Sequence, residues 1–360
     1  MKKSKTDWFR SNGGLIVGVE SSCDESALSL FDPSVGLRGE WISSQIELHR
    51  AYGGVVPDLA SREHLQNFGP LLEEMEEGLK GEVVAGVAVT QGPGLAGCLA
   101  MGLSVAKSLA LKWDVPLVGI NHLRAHAFSP FIKMHEEDST SYDDSFEEML
   151  PHIGLLVSGG NTILFEMNES VEIRILGSTR DDAAGEALDK GGKLMGIPYP
   201  GGPLIEKEAL TGNCAAFEFP RAMLKNTPLD FSFSGLKTSL RYRLDKMDPE
   251  EIMSERANLC ASYQEAVIDV LVKKTEGALR QRDYRSVGLS GGVSNNQRLG
   301  SAFTSLAEQN GVSAHFAQAE HTGDNAGMIA FAAWMERKRL VSDPDYSLEI
   351  VPSMKLSALL

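Results

Sequence analysis

The sequence predicts an α/β protein of two similar domains, and three observations carry that prediction. Short apolar runs bounded by glycine alternate with longer stretches of helical spacing, the pattern of sheets covered by helices. The plan also restarts: a strand–turn–strand opening at 15–32 returns at 153–167. Finally, one phrase occurs twice, as IGLLVSGGNT at 153–162 and VGLSGGVSNN at 287–296. In each, an apolar run ends in Ser-Gly-Gly with an amide side chain close behind. Paired glycines at a strand end let a turn with bare N–H groups approach an anion. The two phrases therefore read as phosphate-facing edges of one cleft.

The elements follow in order. Residues 1–13 read as a loose tail. LIVGVE (15–20) is a strand, followed by the polar turn Ser21–Glu25 and a second strand, SALSLFD (26–32). Helical spacing runs through 59–80. VVAGVAVT (83–90) is a strand that runs into QGPGLAGCLAMGLSVAKSLALKW, a Gly/Pro turn opening a long helix. VPLVGIN (115–121) is another strand, with a helix starting over 122–131. The stretch 134–149, MHEEDSTSYDDSFEEM, is polar and acidic and reads as a domain boundary or a surface insertion. LLVSGG and ILFEM then form a hairpin. In the next run Asp189 and Lys190 close a helical stretch, and Gly201-Gly202 form a tight turn. Residues 200–235 are loop-rich, 254–282 helical, and an alanine-rich helix (325–340) closes the chain. Domains are expected at 15–133 and 150–352, with the final helix free to pack back on the first. Similar α/β halves facing each other across a phosphate cleft suggest the actin-like ATPase (ASKHA) architecture.

Composition bounds the function classes. Hydrophobic content of 42% with 23% charged residues is an ordinary globular balance. No run of about 18 apolar residues occurs, so neither a membrane span nor a membrane partner is expected. The first residues are basic but lack the apolar core of a secretory signal. Four scattered cysteines with no C-x-x-C pair read as free thiols in a reducing cytoplasm. The net charge of −15 argues against broad nucleic-acid binding. The charge is uneven, however: 1–150 carries 12 Lys/Arg against 22 Asp/Glu, whereas 220–300 carries 13 against 10. A docking polyanion would favour the second stretch, with Arg221, Lys225, Lys237 and Arg241 foremost, although solvated helix faces give the same pattern.

Three local patterns carry chemistry. His122-Leu-Arg-Ala-His126 places two imidazoles one helical turn apart, on the same face, at a strand end. With a third ligand, for which Asp324 in HTGDNAG is the candidate, two His and one Asp suit iron or zinc. H-E-x-x-H is absent, so no glutamate base is placed for a zinc protease. Glu20, Ser22, Asp24 and Glu25 crowd the first turn, ESSCDES, where hydroxyls can meet phosphate and carboxylates can accept protons. The run 180–203, RDDAAGEALDKGGKLMGIPYPGGP, is dense in carboxylates and glycines and can meet ribose hydroxyls and a flat base.

These phrases together resemble one family. ESSCDES, YGGVVPDLASREHLQN, TQGPGLAGCL, NHLRAH, LLVSGGNT, DDAAGEALDKGGKL, YPGGP, FSFSGLKT, SGGVSNNQRL and GDNAGMIA stand in the order found in the TsaD (Kae/Gcp, or "glycoprotease") family, from about 15 to 340. The resemblance implies an actin-like fold and transfer of a threonylcarbamoyl group from threonylcarbamoyl-AMP to the adenosine 3′ of the anticodon in tRNAs reading ANN codons. It implies His122, His126 and Asp324 as ligands of one divalent metal, iron(II) or alternatively zinc. It implies Leu156, Val157, Ser158, Gly159, Gly160, Asp189, Gly202, Glu206 and Asn296 as the adenylate site. Asp24 and Glu25 are candidates for accepting the proton of the attacking amine. The partners implied are tRNA, a paralogous scaffold (TsaB) and a small ATPase (TsaE). Two departures stand out: Asn161 where the family has histidine, and Arg124 where it has an acidic residue. A metalloprotease, a sugar kinase, a non-catalytic paralogue and a carbamoyltransferase of the hydrogenase-maturation type are the competing classes. The retained His–His–Asp set separates the first reading from the kinase and the paralogue.

Overall fold

The apolar runs become the centres of two sheets. In chain order the elements are β1 (Leu15–Glu20), β2 (Glu25–Asp32), β3 (Gly36–Ser44), α1 (Ile46–Arg50), α2 (Pro57–Leu79), β4 (Val84–Gly92), α3 (Ala96–Trp113), β5 (Leu117–Asn121), α4 (His122–Phe128), α5 (Ile132–Glu137) and α6 (Tyr142–Glu148). They continue with β6 (His152–Val157), β7 (Thr162–Met167), β8 (Ile173–Ser178), α7 (Ala184–Leu194), α8 (Gly201–Ala209), α9 (Ser234–Leu244), α10 (Pro249–Leu279), β9 (Ser286–Ser290), α11 (Gln297–Asn310), β10 (Ser313–Phe316) and α12 (Ala326–Met335). The computed structural model describes residues 13–223, 229–343 and 346–358.

The chain divides into two units, one of residues up to 146 together with 317 onward, the other of 147–316. In the first, the strand order is β3-β2-β1-β4-β5; in the second it is β8-β7-β6-β9-β10. Each sheet numbered from its own first strand reads 3-2-1-4-5. In both, the first strand is antiparallel to the second and parallel to the fourth. The plan suspected at 15–32 and 153–167 is thus one topology used twice, that of the actin-like ATPase fold.

β1 and β6 are buried at all six positions, as the inner strands of sheets covered on both faces must be. In the first unit α2 buries a stripe at Ala60, His64, Phe68, Leu71 and Met75, a spacing of three and four residues that keeps one face inward. With Leu103 and Leu109 of α3 it packs on Val17, Val19, Val87 and Val89. α12 is apolar all round and buried from Ala326 to Trp334, the mark of a fully enclosed helix. It packs on β1, β2 and α4, which is why residues 317 onward belong to the first unit and not to the 150–352 span. The tail is tied there as well: Val351 N donates to Gln91 O at 2.8 Å and Asn121 Nδ2 to Lys355 O at 2.8 Å. In the second unit Leu155, Val157, Val287 and Leu289 meet Tyr263 and Leu271 of α10 and Leu299 and Phe303 of α11.

Several boundaries differ from expectation. β3, β8 and β10 had no sequence signal, being outer strands of which β3 and β8 bury only a small part and β10 no residue. The acidic stretch 134–149 holds two short helices, because Tyr142 and Phe146 supply buried anchors. The final helix is shorter than 325–340, with Asn325 as its cap.

Candidate metal centre and nucleotide site

Two helix starts in the first unit bring the metal-type side chains together. Asn121, at the end of β5, accepts from Leu123 N at 3.0 Å and Arg124 N at 3.3 Å, so α4 begins at His122 with His126 one turn on. Asn325 caps α12 by accepting from Met328 N at 2.8 Å, which fixes Asp324 just before it. His126 Nε2 lies 3.1 Å from Asp324 Oδ1, and His122 Nε2 lies 3.4 Å from the same oxygen. The three ligand atoms lie within 4.8 Å of one another. His126 Nδ1 is buried without a hydrogen-bond partner among the described residues, so Asp324 is where that ring makes its polar contact.

Glu20 completes the arrangement, a role the sequence reading missed because it saw the residue only as one of a crowd of carboxylates. Its Oε2 lies 3.1 Å from His122 Nδ1 and accepts from Thr90 Oγ1 at 2.5 Å; its Oε1 accepts from Ser22 N at 2.5 Å. Nδ1 therefore donates to Glu20, and Nε2 is aimed at Asp324. Burial lowers the pKa of His122, but Asp324 and Glu20 together raise it well above the usual value. Burial would raise Asp324, yet His122 and His126 hold it below the carboxylate range. Burial lowers the pKa of His126. Two imidazole nitrogens and one carboxylate oxygen thus surround a place that favours a cation, and the set fits a divalent transition metal.

The turn after Glu20 is held from several sides. Ser21 Oγ donates to Cys98 O on α3 at 2.8 Å, and Leu95 N donates to Ser22 O at 2.8 Å. His64 on α2 donates from Nε2 to Cys23 O at 3.0 Å and accepts at Nδ1 from Ser26 Oγ at 2.7 Å. Asp24 is buried, and burial with Asp324 and Asp24 nearby pushes Glu25 up to about 9. Arg124, the departure from the family pattern, is fully buried and donates from Nε and a terminal nitrogen to Glu336 Oε1, the first at 2.8 Å.

The second unit brings the adenylate-type residues into a ring. The two Ser-Gly-Gly turns follow the adjacent parallel strands β6 and β9. Gly291, at φ +84°, lies so close to Val157 that an added Cβ would meet Val157 O at 2.5 Å. Ser158 O accepts from Gly185 N at 3.3 Å in the first turn of α7. Asp189 Oδ1 accepts from Gly201 N at 2.7 Å and Gly202 N at 3.1 Å, capping α8. Glu206 of α8 accepts from Gln297 N at 2.7 Å, beside Asn296, which closes the ring. Asp189 therefore lies inside α7 rather than closing it, and Gly201-Gly202 start a helix rather than a turn. Burial raises the Asp189 pKa. The side chains of Leu156 and Val157 are buried, so what faces outward begins at Ser158. Gly159 and Gly160 are exposed, and their N–H groups have no partner among the described residues. Asn296 spends its amide inside, accepting from Leu299 N at 2.9 Å and donating to Gln264 at 2.8 Å.

Comparison with known proteins agrees. The family pattern of TsaD, tRNA N6-adenosine threonylcarbamoyltransferase, matches residues 36–331. A transferase of that name from Burkholderia ambifaria is 41% identical over 358 residues, covering 96% of this chain and 99% of the relative. One from Anaeromyxobacter dehalogenans is 43% identical over 320 residues, covering 88% and 92%. Among solved structures, T. kodakarensis HypF superposes with a TM-score of 0.58 at 15% identity, covering 91% of this chain; the chain spans 48% of that one. Component A of (R)-2-hydroxyglutaryl-CoA dehydratase from Acidaminococcus fermentans gives 0.50 at 12% identity, covering 90% and 98%. These two likenesses speak for the fold alone. The sequence match over almost the whole chain establishes that it belongs to the TsaD family of tRNA N6-adenosine threonylcarbamoyltransferases.

Proposed function

We propose that the chain moves the threonylcarbamoyl group of threonylcarbamoyl-AMP to N6 of the adenosine 3′ of the anticodon, in tRNAs reading ANN codons, with release of AMP. The observation that carries this reading is the converging set His122, His126 and Asp324 in a chain matched almost end to end to transferases. The donor is a mixed anhydride, already activated, so no covalent nucleophile is needed. The work left is positioning and stabilising charge. His122, His126 and Asp324 would hold the metal, iron(II) or alternatively zinc, which when bound supplies Lewis-acid stabilisation of charge on the carbamoyl oxygen.

The other residues act directly. The exposed N–H groups of Gly159 and Gly160 are placed to receive the donor's phosphate. The Leu156–Gly160 strand end, with Asp189, Gly202, Glu206 and Asn296, forms the adenylate site. In that ring Asp189 and Glu206 keep one carboxylate oxygen on backbone N–H groups, and Asn296 holds the second turn in shape. Asp24 and Glu25 are the carboxylates that would accept the proton of the attacking amine. The scaffold TsaB and the ATPase TsaE are the expected protein partners. No helix is long and apolar enough to cross a membrane among the described residues, and the expected compartment is the cytoplasm.

A transfer assay tests the reading. The chain with its partners, donor and cognate tRNA should yield threonylcarbamoyladenosine by nucleoside mass spectrometry. His126→Ala should lose bound metal and product while keeping its fold. A folded variant with full metal content and full activity would remove His126 from the ligand set.

A further inference from the structure

We infer that the outer face of α9 is a docking track for the single-stranded anticodon loop of the tRNA, with Tyr242 as a stacking platform for an unpaired base. This rests on the transferase reading and adds the place where the RNA is held.

The helix buries Leu236, Leu240 and Leu244, spaced by four, and so turns Lys237, Thr238, Arg241 and Tyr242 outward. Tyr242 is 66% exposed. It borders an open groove of about 640 Å³, lined also by Phe217, Thr238, Arg243, Lys246 and Glu251. The Arg243 guanidinium lies 4.9 Å from the Phe217 ring centre and 5.8 Å from that of Phe219, so it is held against an aromatic wall.

Charge then selects the occupant. In a chain of net charge −15 other arginines of the second unit are already neutralised: Arg221 by Asp269, Arg256 by Glu208 and Arg180 by Asp230. Lys237, Arg241, Arg243 and Lys246 form no ion pair among the described residues. Four unneutralised cations beside an exposed ring and an aromatic-backed groove suit a strand whose phosphates and bases are both accessible. Glu251 at the groove wall disfavours a bare anion and can accept from the amine edge of a base.

Position supports the same occupant. Asp181 pins the start of α9, accepting from Ser232 Oγ at 2.6 Å, Phe233 N at 2.8 Å and Ser234 Oγ at 2.7 Å. Asp181 lies in the loop between β8 and α7, and that loop is bonded to the first residue of β7, just past the first Ser-Gly-Gly turn: Thr179 N donates to Thr162 O at 3.0 Å and Ala184 N to Thr162 Oγ1 at 2.9 Å. One end of α9 is thus fastened beside the proposed donor site, and its exposed face leads away from it. Of the residues expected from sequence to meet tRNA, Lys237 and Arg241 belong to this face. Arg221 is engaged by Asp269, and Lys225 lies outside the described residues.

The test compares the full-length chain with Tyr242→Ala, Tyr242→Phe and the double variant Lys237→Glu/Arg241→Glu. It measures tRNA Kd between 50 and 200 mM salt, donor affinity by calorimetry, and product by nucleoside mass spectrometry. Tyr242→Ala should weaken tRNA binding about tenfold, and Tyr242→Phe, which keeps the ring, should not. The double reversal should reduce the salt slope by about 1.4, from two lost phosphate contacts. Donor affinity should be unchanged in all three. Unchanged tRNA binding in both Tyr242→Ala and the double variant, equal loss in the alanine and phenylalanine variants, or no binding by the unaltered chain would overturn the proposal. If, with the protein partners and donor also present, the unaltered chain binds tRNA through α9 yet makes no modified adenosine, the transferase reading fails and the docking surface stands.

Discussion

Glu20 orients His122 at the candidate metal centre without being one of the converging residues His122, His126 and Asp324. It accepts from Nδ1 of His122, and so turns Nε2 toward Asp324. Glu20→Gln preserves size but turns an acceptor into a donor toward Thr90 or His122. It should lower metal affinity about 10- to 100-fold with little change in fold, read by competition against a chelator of known affinity. Unchanged affinity would show that the Glu20 contact does not orient the ring. Gly159 offers a cleaner test of the nucleotide turn, since nothing lies within 4 Å of an added Cβ. Gly159→Val should fold normally and lose donor affinity by calorimetry; a folded variant that binds the donor as before would place the phosphate elsewhere. Both residues were visible in the sequence, but unequally. Gly159 belongs to a local phrase that repeats. The Glu20–His122 contact joins residues 102 positions apart, and nothing in a local pattern encodes it.

Among the elements, α4 and α12 matter most, because one carries both histidines and the other begins just after Asp324. Arg124 and Glu336 lock them together at side-chain exposures of 1% and 5%. Removing one partner strands a buried charge, so Arg124→Ala should cost about 3–5 kcal/mol in chemical denaturation. Arg124→Met with Glu336→Leu should recover most of that loss. If the double variant is as unstable as the single one, the ion pair is not what joins the helices. Strands with unbroken apolar runs were legible, and LIVGVE coincides with β1. β3 was not, because an outer strand such as GLRGEWISS needs its neighbour to define it. Asp189 was misplaced at the end of α7 for a related reason. The glycines that follow it read as a stop, whereas Gly191 and Gly192 stay inside the helix, Gly191 where Tyr263 leaves no space for a side chain.

At the scale of the whole chain, one strand order serves twice and each copy carries a different task. In the first unit the turn after the opening strand is wired to the metal-type residues; in the second it is one side of the ring that would hold the adenylate. The repetition could be read from the sequence, since the hairpin opening and the glycine turns recur. The sequence left the final helix free to pack back on the first unit but could not decide it, because that depends on an enclosed helix packing on strands some 300 positions earlier. Transfer should depend on one cation held by His122, His126 and Asp324. The most direct measurement strips the purified chain of metal and adds iron(II) back in steps, with donor, tRNA and protein partners in excess. Threonylcarbamoyladenosine formed and metal bound are followed together. Product should rise in proportion to bound metal and level off at one equivalent per chain, and His126→Ala should stay flat throughout. Full transfer by the metal-free chain would contradict the account.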